Sequence, residues 1–343
     1  MRYLLAVLLV LLCTLVLLED LLHKHREDRR IRASTLRPLT DLPVEQVRSF
    51  EVRPGAPPRT WTYVLRRGSW RYPDYFDAFV LPGRVDQLLG SLLQSLGTVV
   101  STDPEDLSRF GLRPEEAVKL GLKDASGAPM LEIRVGRGAP GPGSGEAYVK
   151  KAGSDTILHL HANPHLALGQ GDPPMLDPYV LPRALERRSI AKIIFEHDSN
   201  PLQSLRRVQI LPVDPAASGR PPRGPVYAWL ATSGGREDTC LSANAFAYTS
   251  FLTRMTYQSL RDPRSSDYGF SSGTRLRLED EEGVVDVLEV GGRDEVGNSF
   301  LHHRTTGQVL AIAPQQAELL FPTRATLMDT LPEPSPYRLA QPR

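Results

Sequence analysis

The sequence predicts an α+β protein: an N-terminal transmembrane helix, then two tandem related modules, each an antiparallel sheet with a helix packed on one face. Three observations carry that expectation. The chain opens on an unbroken apolar run, Tyr3 to Leu18, which Leu21 and Leu22 extend past Glu19-Asp20. Two stripes of apolar residues at helical period occur far apart, Val85 to Leu96 and Tyr248 to Met255. After each stripe the same order of features follows, from Asp103 to Pro164 and again from Asp262 to Pro314.

That echo can be followed residue by residue. Asp103-Pro104 answers Asp262-Pro263, and Phe110-Gly111 answers Tyr268-Gly269. Val118, Leu120 and Leu122 answer Thr274, Leu276 and Leu278, with turn residues Asp124 and Gly127 answering Asp280 and Gly283. Ile133-x-Val135-Gly136 answers Leu288-x-Val290-Gly291, and Tyr148-Val149-Lys150-Lys151 answers Phe300-Leu301-His302-His303. The offset drifts only from about 159 to about 150 residues, with gaps at turns. A repeat of this kind fixes architecture and names no reaction.

Taken in order, residues 1–22 are expected to form the transmembrane anchor. A membrane helix needs about 20 apolar residues, whereas a secretory core has about 7–15. The run lies between these, yet no small-x-small cleavage site follows it, and Leu12 precedes Cys13 where a lipoprotein signal would carry a small residue. An uncleaved anchor is therefore expected, ahead of a cleaved signal or a buried helix. Flanking charge is divided: Lys24, Arg26, Arg29, Arg30 and Arg32 argue for a cytoplasmic bulk. Export behind a short N-terminal anchor argues the reverse.

Residues 23–42 read as a polar connector and 43–170 as the first module. Val47, Phe50 and Val52 suggest a strand; Trp61 to Leu65, Arg67-Gly68-Ser69 and Trp70 suggest a hairpin. Val85, Leu88, Leu89, Leu92, Leu93 and Leu96 make one helical stripe, which Gly97 is placed to end. Alternating strands then predict a meander of three or four strands under the helix. A loop, Gly138 to Gly145, is peculiar to this module. Residues 171–200 read as a connector, 201–325 as the second module and 326–343 as a Pro-rich tail. In the second module Tyr248, Phe251, Leu252 and Met255 repeat the stripe, with Ser242 or Asn244 as its cap, and Asp214 to Pro225 interrupts the first hairpin.

Composition removes several function classes. Lys plus Arg number 41 against 40 acids, a formal net charge of +1, so there is no basic footprint for nucleic acid. With 343 residues and 41% hydrophobic content, two ordinary cores can be buried. Cys13 lies in the apolar leader and Cys240 stands far from it, so no intrachain disulfide framework is expected.

The anchor and Gly68-Ser69-Trp70 resemble the bacterial domain-of-unknown-function family 4340. So does the leucine helix followed by Asp106-Leu107-Ser108-Arg109-Phe110-Gly111-Leu112-Arg113-Pro114, in which Phe110 replaces the family's tyrosine. Val135-Gly136 and Tyr148-Val149 sit where the family has an "iG…yv" pattern. The resemblance covers Val47 to Phe195 well and the second module more loosely. It implies a single-pass inner-membrane protein with its bulk outside the cytoplasm. It also implies partnership with an ABC transporter or a gliding-motility-type system, and it carries over no catalytic residue.

One stretch has metal-ligand flavour: His159-Leu160-His161-Ala162-Asn163-Pro164-His165. On a strand His159 and His161 share a face, and His165 could return after the Asn-Pro turn. The second module has Ala311 and Ala313 at the first two positions, so histidines on a solvated strand end are the expected reading. His302-His303 answer Lys150-Lys151, which suggests an exposed, polar strand end. Ser144 stands in Gly143-Ser144-Gly145 without the flanking pattern of a nucleophile elbow. Trp61, Trp70 and Trp229 read as core or hairpin-face residues.

The sequence therefore predicts a non-enzymatic, membrane-anchored envelope protein acting as an accessory or scaffold subunit. No catalytic residue, cofactor or metal is expected. The alternatives are a glycan- or peptide-binding module with a cleft between the repeats, and a metal-dependent hydrolase using His159, His161 and His165.

Overall fold

The computed structural model describes residues 36–56, 59–138, 145–169, 171–185, 189–196, 202–210, 226–270, 273–283 and 285–328. They form two compact units. The first holds the chain through Asp74 together with Val80–Leu176; the second holds Tyr75–Phe79 and the chain from Asp177 onward. The apolar run Tyr3–Leu22, the loop residue Ser144, the insertion Asp214–Pro225 and the tail from Pro332 lie outside the described residues.

The strands of the first unit are β1 (Arg37–Pro38), β2 (Ser49–Arg53), β3 (Trp61–Arg66) and β4 (Ser69–Tyr72). The passage that groups with the second unit holds the short β5 (Ala78–Phe79). Helix α1 (Pro82–Leu93) follows, then β6 (Leu96–Ser101), β7 (Val118–Lys123), β8 (Pro129–Gly138), β9 (Ala147–Lys151), β10 (Ile157–Leu160) and helix α2 (Pro164–Leu168). The second unit has β11 (Ile190–Glu196), β12 (Leu202–Ile210), β13 (Val226–Ser233), β14 (Arg236–Thr239) and helix α3 (Ser242–Arg254). It continues with β15 (Ser259–Arg261), β16 (Arg275–Asp280), β17 (Val285–Arg293), β18 (Ser299–His303), β19 (Gln308–Ile312), α4 (Pro314–Leu319) and α5 (Arg324–Met328).

Each unit is organised on one large antiparallel sheet. In the first, neighbours run β1-β6-β10-β9-β8-β7-β2-β3-β4. In the second they run β15-β19-β18-β17-β16-β11-β12-β13-β14. From β6 to β4 and from β15 to β13 the two orders correspond strand for strand, with the long helix at the same place in the chain. The repeat is wider than the matching sequence. Phe50 and Val52 of β2 stand opposite Leu122 and Leu120, while Ile193 and Phe195 of β11 stand opposite Leu278 and Leu276. All eight side chains are buried. Strand β11 comes from the stretch 171–200 that the sequence reads as a connector.

Local geometry repeats too. Asp103 and Asp262 each accept a backbone N–H two residues on, at 2.9 and 3.0 Å. Asp124 accepts from Ser126 and Asp280 from Glu282, both at 2.8 Å, turning the chain before Gly127 and Gly283. The cluster of Phe110, Leu112 and Ile157 with Tyr148 packed on it has its counterpart in Tyr268, Phe300 and Val309. At each long helix's start an extended leucine donates its N–H to a returning segment: Leu81 to the Met175 carbonyl at 2.9 Å, Leu241 to that of Leu327 at 3.0 Å.

Three expectations are corrected. The fold class is mostly β, not α+β modules of a small sheet with a helix on one face. The hairpin that precedes each helix does not stand apart from the meander. Strands β2 and β11 lend their open edges to β7 and β16, satisfying backbone groups that would otherwise need another partner. Periodicity tells which face of a strand is buried, not which strand lies beside it.

The single-pass inner-membrane expectation is corrected as well. Among the described residues no helix is long and apolar enough to cross a membrane. The longest, α3, has 13 residues. At about 1.5 Å per residue it reaches about 20 Å, short of a hydrocarbon core of about 30 Å.

The helix boundaries also move. Helix α1 ends before Gln94, whose N–H bonds back to the Gly90 carbonyl, so Leu96 is 43% exposed at the start of β6. Gly97 is a strand residue whose added Cβ would lie 3.1 Å from the His159 carbonyl oxygen. In α3 the capping position belongs to Leu241, without a side-chain cap, and Asn244 instead donates to the Thr326 carbonyl at 3.0 Å.

Candidate functional site

The polar end of the β9–β10 hairpin gathers the residues with the most chemistry. Tyr148 stands opposite His159 and Ala147 opposite Leu160. Continuing that register sets Glu146 across from His161, and alternation puts Glu146, Tyr148, His159 and His161 on one face. Glu146 bridges the two imidazoles: its Oε2 lies 3.1 Å from His159 Nε2 and its Oε1 3.2 Å from His161 Nδ1. The rings continue inward, with centroids 5.7 Å apart from His161 to His159, 5.2 Å on to Tyr148 and 4.5 Å on to Phe110. The guanidinium of Arg109 lies over the Phe110 ring at 5.4 Å. Hydrogen bonding from His161, then the nearby histidine charges, hold the Glu146 carboxyl below the usual carboxylate range.

His165 does not join the other two histidines. Asn163 caps α2 by accepting the His165 N–H at 3.0 Å. The His165 ring turns away and donates from Nε2 to the Gly136 carbonyl at 2.7 Å. Among the described residues, no group of three or more His, Cys, Asp or Glu side chains is placed so that it could hold a metal ion. Glu146 was invisible to a reading along the chain, because only the strand register brings it to His161.

The expectation for His302 and His303 is corrected. His303 is fully buried, 3.6 Å from Asp286. His302 is half-buried beside Phe270, with ring centroids 5.4 Å apart. Burial, then the Arg304 charge, push its pKa down against the opposing pull of Glu289. Glu289 is only 1% exposed and is held by Arg304 at 2.6 Å and Arg275 at 3.5 Å. This buried carboxylate also escaped the sequence: it sits on an alternating strand where polarity reads as solvent exposure.

The remaining candidates are structural or shallow. Trp70 packs tilted against Phe50 with ring centroids 5.0 Å apart, Trp229 is buried, and Trp61 is half-buried in β3. Cys240 is buried, which pushes its thiol up to about 11. A hollow of about 150 Å³ lies among Glu132, Arg134, Lys150 and Lys151. Another, of about 240 Å³, lies among Thr274, Gly291, Arg293, Ser299 and Phe321.

Fold and site together define a tandem pair of antiparallel β units, one of which carries a His-Glu-His cluster that the other lacks. Residues 70–216 match the family model described as Domain of unknown function (DUF4340), which places this stretch in the family its motifs resemble. No curated protein and no solved structure matches the chain.

Proposed function

We propose that this chain is a non-enzymatic accessory or scaffold subunit that docks a partner protein, the partner being part of an ABC-transporter-associated or gliding-motility-like assembly. The supporting observation is the solvent face of α3. There Ala243, Phe246 and Ala247 follow at i, i+3 and i+4, all exposed, with Phe246 at 71%. Counted from the capping leucines, the same positions on α1 are Gly83, Asp86 and Gln87, also exposed. The shared fold thus needs no apolar residue on this face. An aromatic set among small residues on a rigid helix suits an interface anchor. The choice of partner rests on the family resemblance.

The test is co-purification of the full chain with the transporter complex in mild detergent, comparing wild type with Phe246→Asp. Asp86 occupies the equivalent site in the other unit, so the variant should keep its thermal stability. Loss of the complex in the variant supports the reading; a wild type that never co-purifies, or a variant that still does, overturns it.

A further inference from the structure

We propose that the hollow of about 240 Å³ in the second unit binds a free α-amino acid with a small apolar side chain. Arg293 takes the ligand's carboxylate, Glu318 its ammonium, and the Ser299 and Thr274 hydroxyls share its polar bonds.

The hollow lies between α4 and the ends of β17 and β18, with Thr274 just before β16 on its wall. The first unit shows what the shared fold does at this place. Ser299 stands opposite Arg293 and Ile312 as Ala147 stands opposite Gly138 and Leu160, so Ser299 answers Ala147 and Arg293 answers Gly138. Thr274 answers Val118 in the sequence repeat, and α4 and α2 both begin on a proline, Pro314 and Pro164. Ala317 and Glu318 therefore answer Ala167 and Leu168.

In the first unit this place is closed and apolar. Ala147 and Ala167 are fully buried, Leu168 is buried, and His165 ties α2 to β8 through the Gly136 carbonyl. In the second unit Gln315 replaces that histidine and is exposed, Ala317 is half-buried and Glu318 is exposed. The helix stands off the sheet end, and hydroxyls and charges replace valine, alanine, glycine and leucine.

These polar groups are uncommitted. Ser299 is only 4% exposed, yet among the described residues its hydroxyl has no hydrogen-bonding partner. The same holds for the side chains of Thr274, Arg293 and Glu318. A hydroxyl in place of a buried alanine costs stability unless something bonds to it, and here only the content of the hollow can. A guanidinium and a carboxylate on one small hollow select among ligands by charge. Glu318 repels a simple anion, Arg293 repels a simple cation, and a neutral molecule leaves both without a counter-charge. A zwitterion engages both through charge-assisted hydrogen bonds. Phe321, Val290 and Ala317 supply an apolar wall for its side chain.

The experiment is saturation-transfer NMR on the full chain with three probes. They are L-valine, 3-methylbutanoate, which lacks the ammonium, and 2-methylpropylamine, which lacks the carboxylate. L-valine should bind, and each analogue should bind at least about 10-fold more weakly for want of one charge-assisted bond. Arg293→Gln and Glu318→Gln should each weaken L-valine by about the same factor, and Glu318→Gln should leave 3-methylbutanoate unweakened. Ser299→Ala restores the residue of the first unit, so it should melt like wild type while binding L-valine more weakly. No L-valine signal from the wild type at up to about 10 mM overturns the proposal. So does L-valine binding no tighter than that of its two analogues, or binding that any of the three variants leaves unchanged.

Discussion

Gly136 and Gly291 hold the same post in the two units. A Cβ on either would sit 2.2 Å from a carbonyl oxygen, that of Phe110 in the first unit and that of Tyr268 in the second. Here the aromatic-Gly turn lies directly on the second strand after it, β8 in the first unit and β17 in the second. A methyl group cannot enter without moving the turn or the strand. Gly136→Ala and Gly291→Ala should each cost about 1–3 kcal/mol, the usual penalty for overpacking. Urea unfolding measures it; an unchanged midpoint in either variant would show that the turn yields freely.

Leu92 and Leu252 are both fully buried on their helices, whereas Phe251 is only half-buried. Leu92→Ala and Leu252→Ala should each cost about 2–5 kcal/mol, and Phe251→Ala clearly less than Leu252→Ala. Equal losses from the two α3 variants would contradict this register.

That register marks where the sequence stopped being legible. Tyr248, Phe251, Leu252 and Met255 match the first stripe in type when Phe251 is set against Leu92. The structure instead aligns Leu252 with Leu92, Tyr248 with Leu88 and Ala245 with Val85. Apolar residues at adjacent positions blur a helical stripe by about 100°, and only the shared capping leucines fix its phase. Turns were read more securely: Asp124, Gly127, Asp280 and Gly283 depend on local chemistry alone. Long-range pairing was not readable. It decides that β2 joins β7, that β11 belongs to the second sheet, and that Glu146 meets His161.

His302 sets a pH dependence. Its pKa is held below the ordinary 6.5 in the folded protein, chiefly by burial. The unfolded chain then binds more protons than the folded one as pH falls through about 6.5, so stability should drop on acidification in that window. His302→Gln should remove this part of the slope while other acid effects remain. Identical urea midpoints against pH for wild type and variant between about pH 7.5 and 5.5 would show that His302 contributes nothing.

Tyr63 and Tyr248 make the last prediction. Each buried phenol donates to a carbonyl in the segment that follows its unit's second helix: Tyr63 to Pro174 and Tyr248 to Leu320, both at 2.7 Å. Replacement by Phe leaves a carbonyl deprived of its donor, at a cost of about 1–3 kcal/mol each. Burial pushes both phenols well above their ordinary pKa of 10.0. A raised folded pKa means that the stabilisation is full below about pH 10, and is lost as pH rises from the unfolded value toward the folded one. Wild type should therefore lose stability between about pH 9 and pH 11 more steeply than the Tyr63→Phe, Tyr248→Phe double variant. The gap between them should narrow as the pH climbs. Thermal melting across that range checks it; a gap that stays constant would mean that the phenols are free to ionise in place.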